Sequence, residues 1–182
     1  MADPLLPTLS KLAFPALGIA AMLFAARRRK LSFSADLGFA WPKPLATLAF
    51  LVLWAGLIAA EEWLSASIDG ATPKPWADHA PLIVLLRVVA IGVLGPVAEE
   101  LAFRGFLLAW LRQTRLGVWG AIVVCAALWS ALHVQYAPAL LLLIFVDGLV
   151  LGAARHLCRS LWVPIVMHVA GNLFSISQSL AR

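Results

Sequence analysis

Six apolar runs, at residues 5–26, 45–60, 81–111, 117–136, 138–158 and 161–180, alternate with short stretches that collect the charged side chains. A run of about 20 apolar residues is what a helix needs to cross the hydrocarbon core of a bilayer. Each run therefore predicts a membrane-spanning helix, with Pro7 and Pro15 tolerated in the first as prolines are in such helices. The third run is longer than one straight span requires at ~1.5 Å per residue. It carries Gly95 and Pro96 near its middle, and a proline lacks the N–H that the helical ladder uses, so this pair predicts a kink there.

Composition agrees with the pattern. The chain of 182 residues is 63% hydrophobic and only 13% charged, with a mean hydropathy of +0.93. Soluble domains are usually about 45–50% apolar, so the expectation is an all-α polytopic membrane bundle of about six helices, one membrane domain over residues 1–182. The isoelectric point near 9.9 does not point to nucleic acid, because the basic residues lie in short connections and no aromatic-basic surface stretch accompanies them. Of the 14 Lys and Arg residues, nine (Arg27, Arg28, Arg29, Lys30, Lys43, Arg112, Arg115, Arg155 and Arg159) sit in alternate connections. By the positive-inside rule, loops 27–43, 112–117 and 155–160 face the cytoplasm of a cell (inner) membrane and both termini face outward.

The connection 61–80, with Glu61, Glu62, Asp69 and Asp78 against Lys74, is then external. The Arg27 cluster follows the first apolar run instead of preceding it, so that run is expected to stay as an anchor and not to be cleaved as a leader. Trp41, Trp110, Trp119 and Trp162 fall near inner helix ends, and Trp63, Trp76 and Tyr136 near outer ones, as aromatic belts do. Cys125 and Cys158 have no spacing that suggests a redox pair or zinc site and read as buried hydrophobes. Gly148 and Gly152 form a GxxxG that permits close helix contact within the bundle.

Inside the spans remain Arg87, Glu99, Glu100, Arg104, His133, Asp147, His168 and Asn172. Each is costly in hydrocarbon and calls for a partner, a wet cavity or a function. Glu100 and Arg104 are four apart on one helical face and can pair, whereas Glu99 points about 100° away and needs a partner from elsewhere. The third and fourth runs form a hairpin turning near Leu116; Glu99 lies 17 residues before it and His133 lies 17 after, so the two are level. His168 and Asn172 share a face of the last run. A carboxylate beside an imidazole can take a proton from water, and a second imidazole with an amide can donate hydrogen bonds to an oxyanion, which together describe peptide-bond hydrolysis. Asp147 counts to the level of Asn172 and is a candidate to orient its amide. Arg87 either snorkels or neutralises a carboxylate. His79 and His156 fall in loops, with His79 read as solvated.

The segment Glu99-Glu100-Leu101-Ala102-Phe103-Arg104 resembles the EExxxR motif of the CAAX-protease and bacteriocin-processing family, the glutamic intramembrane endopeptidases that include the type II prenyl-protein endopeptidase. His133 is similar to that family's FxxxH histidine, with Trp129 in the phenylalanine position, His168 and Asn172 resemble its HxxxN, and Phe145, Gly148 and Gly152 its glycine-bearing helix. The resemblance covers residues 81–180, leaving 1–80 as two accessory spans. It implies that Glu99 and His133 activate water, that His168 and Asn172 hold the oxyanion in a polar intramembrane cavity, and that Glu100 and Arg104 brace the site. It implies no metal or cofactor, and as partners a membrane-anchored or lipidated protein substrate and the lipid bilayer. Trp129 is expected only to pack one turn before His133. Two alternatives stand beside it: a zinc hydrolase with Glu99, His133 and His168 as ligands, which lacks an HExxH pair and leaves Asn172 idle, and a non-enzymatic scaffold.

Overall fold

The apolar runs do become helices in the computed structural model, which describes residues 5–65 and 79–181. Among these residues there are six helical passages and no strand. They are α1 (Leu5–Arg28), α2 (Pro44–Ser65), α3 (Pro81–Leu111), α4 (Gly117–Ala131), α5 (Pro138–Leu157) and α6 (Trp162–Ala181). Asp69, Lys74, Trp76 and Asp78, read above as part of an external loop, lie outside the described residues.

Four of the helices, α1, α2, α3 and α5, are long and apolar enough to cross a bilayer. Their outward faces are as apolar as their inward ones: Phe14 is 76% and Leu45 81% exposed. Such faces suit lipid and not water, and the protein is a membrane protein. Trp41, Trp63, Trp110, Trp119 and Trp162 all stand exposed on the surface, as anchors at an interface would.

One expectation about a helix end is corrected. Helix α4 stops at Ala131 instead of continuing to Tyr136, because Pro138 opens α5 and holds Ala137 extended (φ −59°, ψ 149°), so the chain must turn before it. His133 consequently lies in that turn. Helix α3 is continuous through Gly95-Pro96. It runs on through two π-helical stretches, Val88–Leu94 and Leu101–Leu107, that flank the segment Gly95–Glu100. The wider π-turn lets the Gly95 N–H reach back to the Ala90 carbonyl and carries Pro96 without ending the helix.

Helices α4 and α5 pack closely on each other. The reason is GxxxG: a Cβ on Gly148 would lie 2.9 Å from the Ala126 Cα, and one on Gly152 would lie 2.8 Å from Ile122 Cγ2. Gly148→Val is expected to cost about 1–3 kcal/mol, seen as a lower thermal midpoint in detergent, because the neighbouring atom is backbone and cannot give way. An unchanged midpoint would mean the helices separate freely there. Helix α6 packs against α2, α3 and α5, while α1 covers α3. The free thiols of Cys125 and Cys158 are both buried, as expected. Arg87 Nε donates to Thr8 Oγ1 of α1 at 3.3 Å, and its Nη1 lies 2.7 Å from His79 Nε2, so His79 is a partner and not simply solvated.

Candidate functional site

A cavity of about 630 Å³ opens among all six helices, and Glu99, His133, His168 and Asn172 all line it. Glu99 and Glu100 leave α3 in different directions, as adjacent helical residues must. Glu99 is half-buried, while Glu100 is fully buried with Arg104. Arg104 Nη1 donates to Glu100 Oε1 at 2.8 Å, and its Nη2 donates to the Gly148 carbonyl at 3.2 Å. The ion pair expected from the i, i+4 spacing is therefore formed.

Glu100 also does something the spacing does not reveal. His168 Nδ1 lies 2.9 Å from the same Oε1. The oxygen that accepts from Arg104 accepts here as well, so Nδ1 carries a proton and donates, and Nε2 is the ring nitrogen left for the cavity. A carboxylate behind an imidazole fixes its tautomer and its ring orientation. Glu100 thus links the buried pair on α3 to the histidine on α6.

Trp129 is more than packing. Its indole N–H donates to Glu99 Oε2 at 2.6 Å, its carbonyl lies 2.9 Å from His133 Nδ1, and its ring lies 4.7 Å beneath the Arg104 guanidinium. Both His133 and His168 meet the ring edge-on at 5.2 Å. A carbonyl only accepts, so His133 Nδ1 bears a proton and Nε2 is the ring nitrogen that can accept. Phenylalanine in this place could pack but could not hold Glu99. The signal was the indole N–H, a donor that a buried tryptophan must satisfy.

Asn172 Nδ2 donates to the Ile91 carbonyl at 2.8 Å. That carbonyl is free for a reason traceable to sequence: with Gly95 N–H bonded to Ala90, the next rung of the π-turn would come from Pro96, which has no N–H. The role considered for Asp147 is corrected accordingly. Asp147 shares the cavity wall with Glu61 of α2, and among the described residues no hydrogen bond joins it to Asn172. Trp54 of α2, unremarked in the sequence, lines the same cavity.

Among the described residues no three His, Cys, Asp or Glu side chains converge as a metal-ligand set, so the arrangement of Glu99, His133 and His168 required by the zinc alternative is not formed.

Residues 81–174 match the family described as type II CAAX prenyl endopeptidase, Rce1-like. The chain belongs to that family. The matched stretch of this Rce1-like member begins at α3 and includes Glu99, Glu100, Arg104, His133, His168 and Asn172, while α1 and α2 lie outside it. The chain is also similar to an uncharacterized 24.3 kDa protein of Escherichia coli, 28% identical over 130 residues that make up 70% of this chain and 60% of that protein. The chain thus spans less than two thirds of the length of that relative. No solved structure matches it.

Proposed function

We propose that the protein is an intramembrane endopeptidase that hydrolyses a peptide bond in a membrane-anchored or lipidated protein. The observation that carries this reading is the meeting of Glu99, His133, His168 and Asn172, contributed by three parts of the chain, in one cavity. Glu99 and His133 Nε2 position a water, which attacks the scissile carbonyl carbon as its proton passes to them. The second Nδ2 hydrogen of Asn172, joined by His168 Nε2 when that ring carries a proton on both nitrogens, stabilises the resulting oxyanion. Collapse breaks the C–N bond, and the proton taken from water leaves with the amine. The apolar wall of Leu140, Leu143, Ile144 and Phe174 suits a lipid chain or an apolar peptide segment beside these polar groups, and the family's prenyl-endopeptidase description supports the same substrate class.

The basic loops then lie in the cytoplasm at an inner membrane, with α1 and α2 as accessory spans to a single catalytic bundle. The test is to incubate the purified protein with prenylated tails, bacteriocin-type leaders and anchored peptides, and to map products by mass spectrometry. One defined internal cut supports the assignment; none with any class points to a scaffold.

Pro96 offers a sharper probe of the oxyanion donor. Pro96→Ala restores an N–H that competes for the Ile91 carbonyl and so releases Asn172. Cleavage is expected to fall about tenfold, with the thermal midpoint unchanged or higher. Full activity would show that this clamp does not position the amide.

A further inference from the structure

A cluster of positive charge lies in a second cavity that shares no lining residue with the first. It holds about 370 Å³ at the basic-loop end, where Arg104, Arg112, Arg155, His156 and Arg159 line it and, among the described residues, no Asp or Glu does. Orientation in a bilayer accounts for the exposed Arg112 and Arg159. It does not account for Arg155, which is only 7% exposed.

Arg104, equally buried, is neutralised by Glu100. Arg155 has no such acid, and its Nε has no hydrogen-bond partner among the described residues. A guanidinium taken out of water without a counter-charge is costly, and the cost calls for an anion. The surrounding backbone is shaped around this group. The loop between α1 and α2 is stitched over the α5–α6 turn by Leu161 N–H to the Gly38 carbonyl at 2.7 Å and Ser160 Oγ to the Ala40 carbonyl at 2.7 Å. Gly38 in that loop has φ +85°, and any Cβ there would overlap the Arg155 guanidinium. Arg159, a non-glycine, is held at φ 57° on the same wall.

We propose that this cavity binds a phosphate-bearing anion, gripped by Arg155 with Arg112 and Arg159. A guanidinium fork matches two phosphate oxygens at once, and basic pockets between helix ends at a membrane surface suit lipid headgroups. The phosphate comes either from the headgroup of an anionic phospholipid or from free phosphate in solution. The site is separate from the peptidase reading and stands whether or not peptides are cleaved.

The test uses the full chain purified in phosphate-free maltoside detergent. Inorganic phosphate is titrated in one arm, against chloride at equal ionic strength, and phosphatidylglycerol in mixed micelles in the other, with binding read by calorimetry. Saturable binding is expected in at least one arm, weakened about tenfold or more in Arg155→Gln. Binding of phosphatidylglycerol alone identifies a lipid headgroup site, and binding of both identifies phosphate as sufficient. Should Arg155→Gln fail to fold, the exposed variants Arg159→Gln and Arg112→Gln carry the same expectation. No saturable binding by the wild type in either arm, or affinity equal in the wild type and every folded variant, overturns the proposal.

Discussion

Glu99→Gln is expected to lower single-turnover cleavage by about 10²–10⁴-fold while leaving the thermal midpoint within about 2 °C of wild type. The large effect follows from the proposed role, since an amide cannot take a proton from water. The small one follows from the structure. Glu99 is half-buried, and its 2.6 Å bond from the Trp129 indole needs only an acceptor, which the glutamine carbonyl oxygen supplies. The substitution therefore removes a base and keeps the geometry. Cleavage within a few-fold of wild type would remove Glu99 from the chemistry.

Glu100→Gln should behave in the opposite sense, as a loss of stability of about 3–5 kcal/mol, read as lower expression and a lower melting temperature in detergent. Glu100 is fully buried and its Oε1 receives both Arg104 and His168. Glutamine leaves the Arg104 charge buried without a counter-ion, and the contacts to the Gly148 carbonyl and the Trp129 ring cannot neutralise it. Removing both charges in Glu100→Gln with Arg104→Gln should recover part of the loss, because no unpaired ion is left behind. A single variant as stable as wild type would mean that this pair is hydrated and not buried.

What could be read from the sequence was what local spacing encodes. The apolar runs became helices, four residues between Glu100 and Arg104 became an ion pair, and counting outward from Leu116 put Glu99 and His133 on one cavity. Glycine spacing gave the α4–α5 contact. The missed features depend on single hydrogen atoms or on distant elements. The π-turns of α3 shift a hydrogen-bond register without altering which residues are apolar, so no pattern announces them. Pro96 did carry a signal: its missing N–H obliges some upstream carbonyl to find a donor, and that donor is Asn172. Trp129 was legible as a donor in need of a partner, yet only the fold could choose Glu99. Glu61 and Asp147 come from helices far apart in the chain, and their meeting on one cavity wall needed the bundle.

The central claim is that Glu99 and His133, without a metal, activate the attacking water. It is tested most directly by single-turnover cleavage of an anchored peptide by the detergent-purified protein, wild type beside Glu99→Gln, with and without a strong chelator. The account predicts cleavage that is unchanged by the chelator and lost in the variant. Cleavage abolished by chelation and restored by added zinc would contradict it.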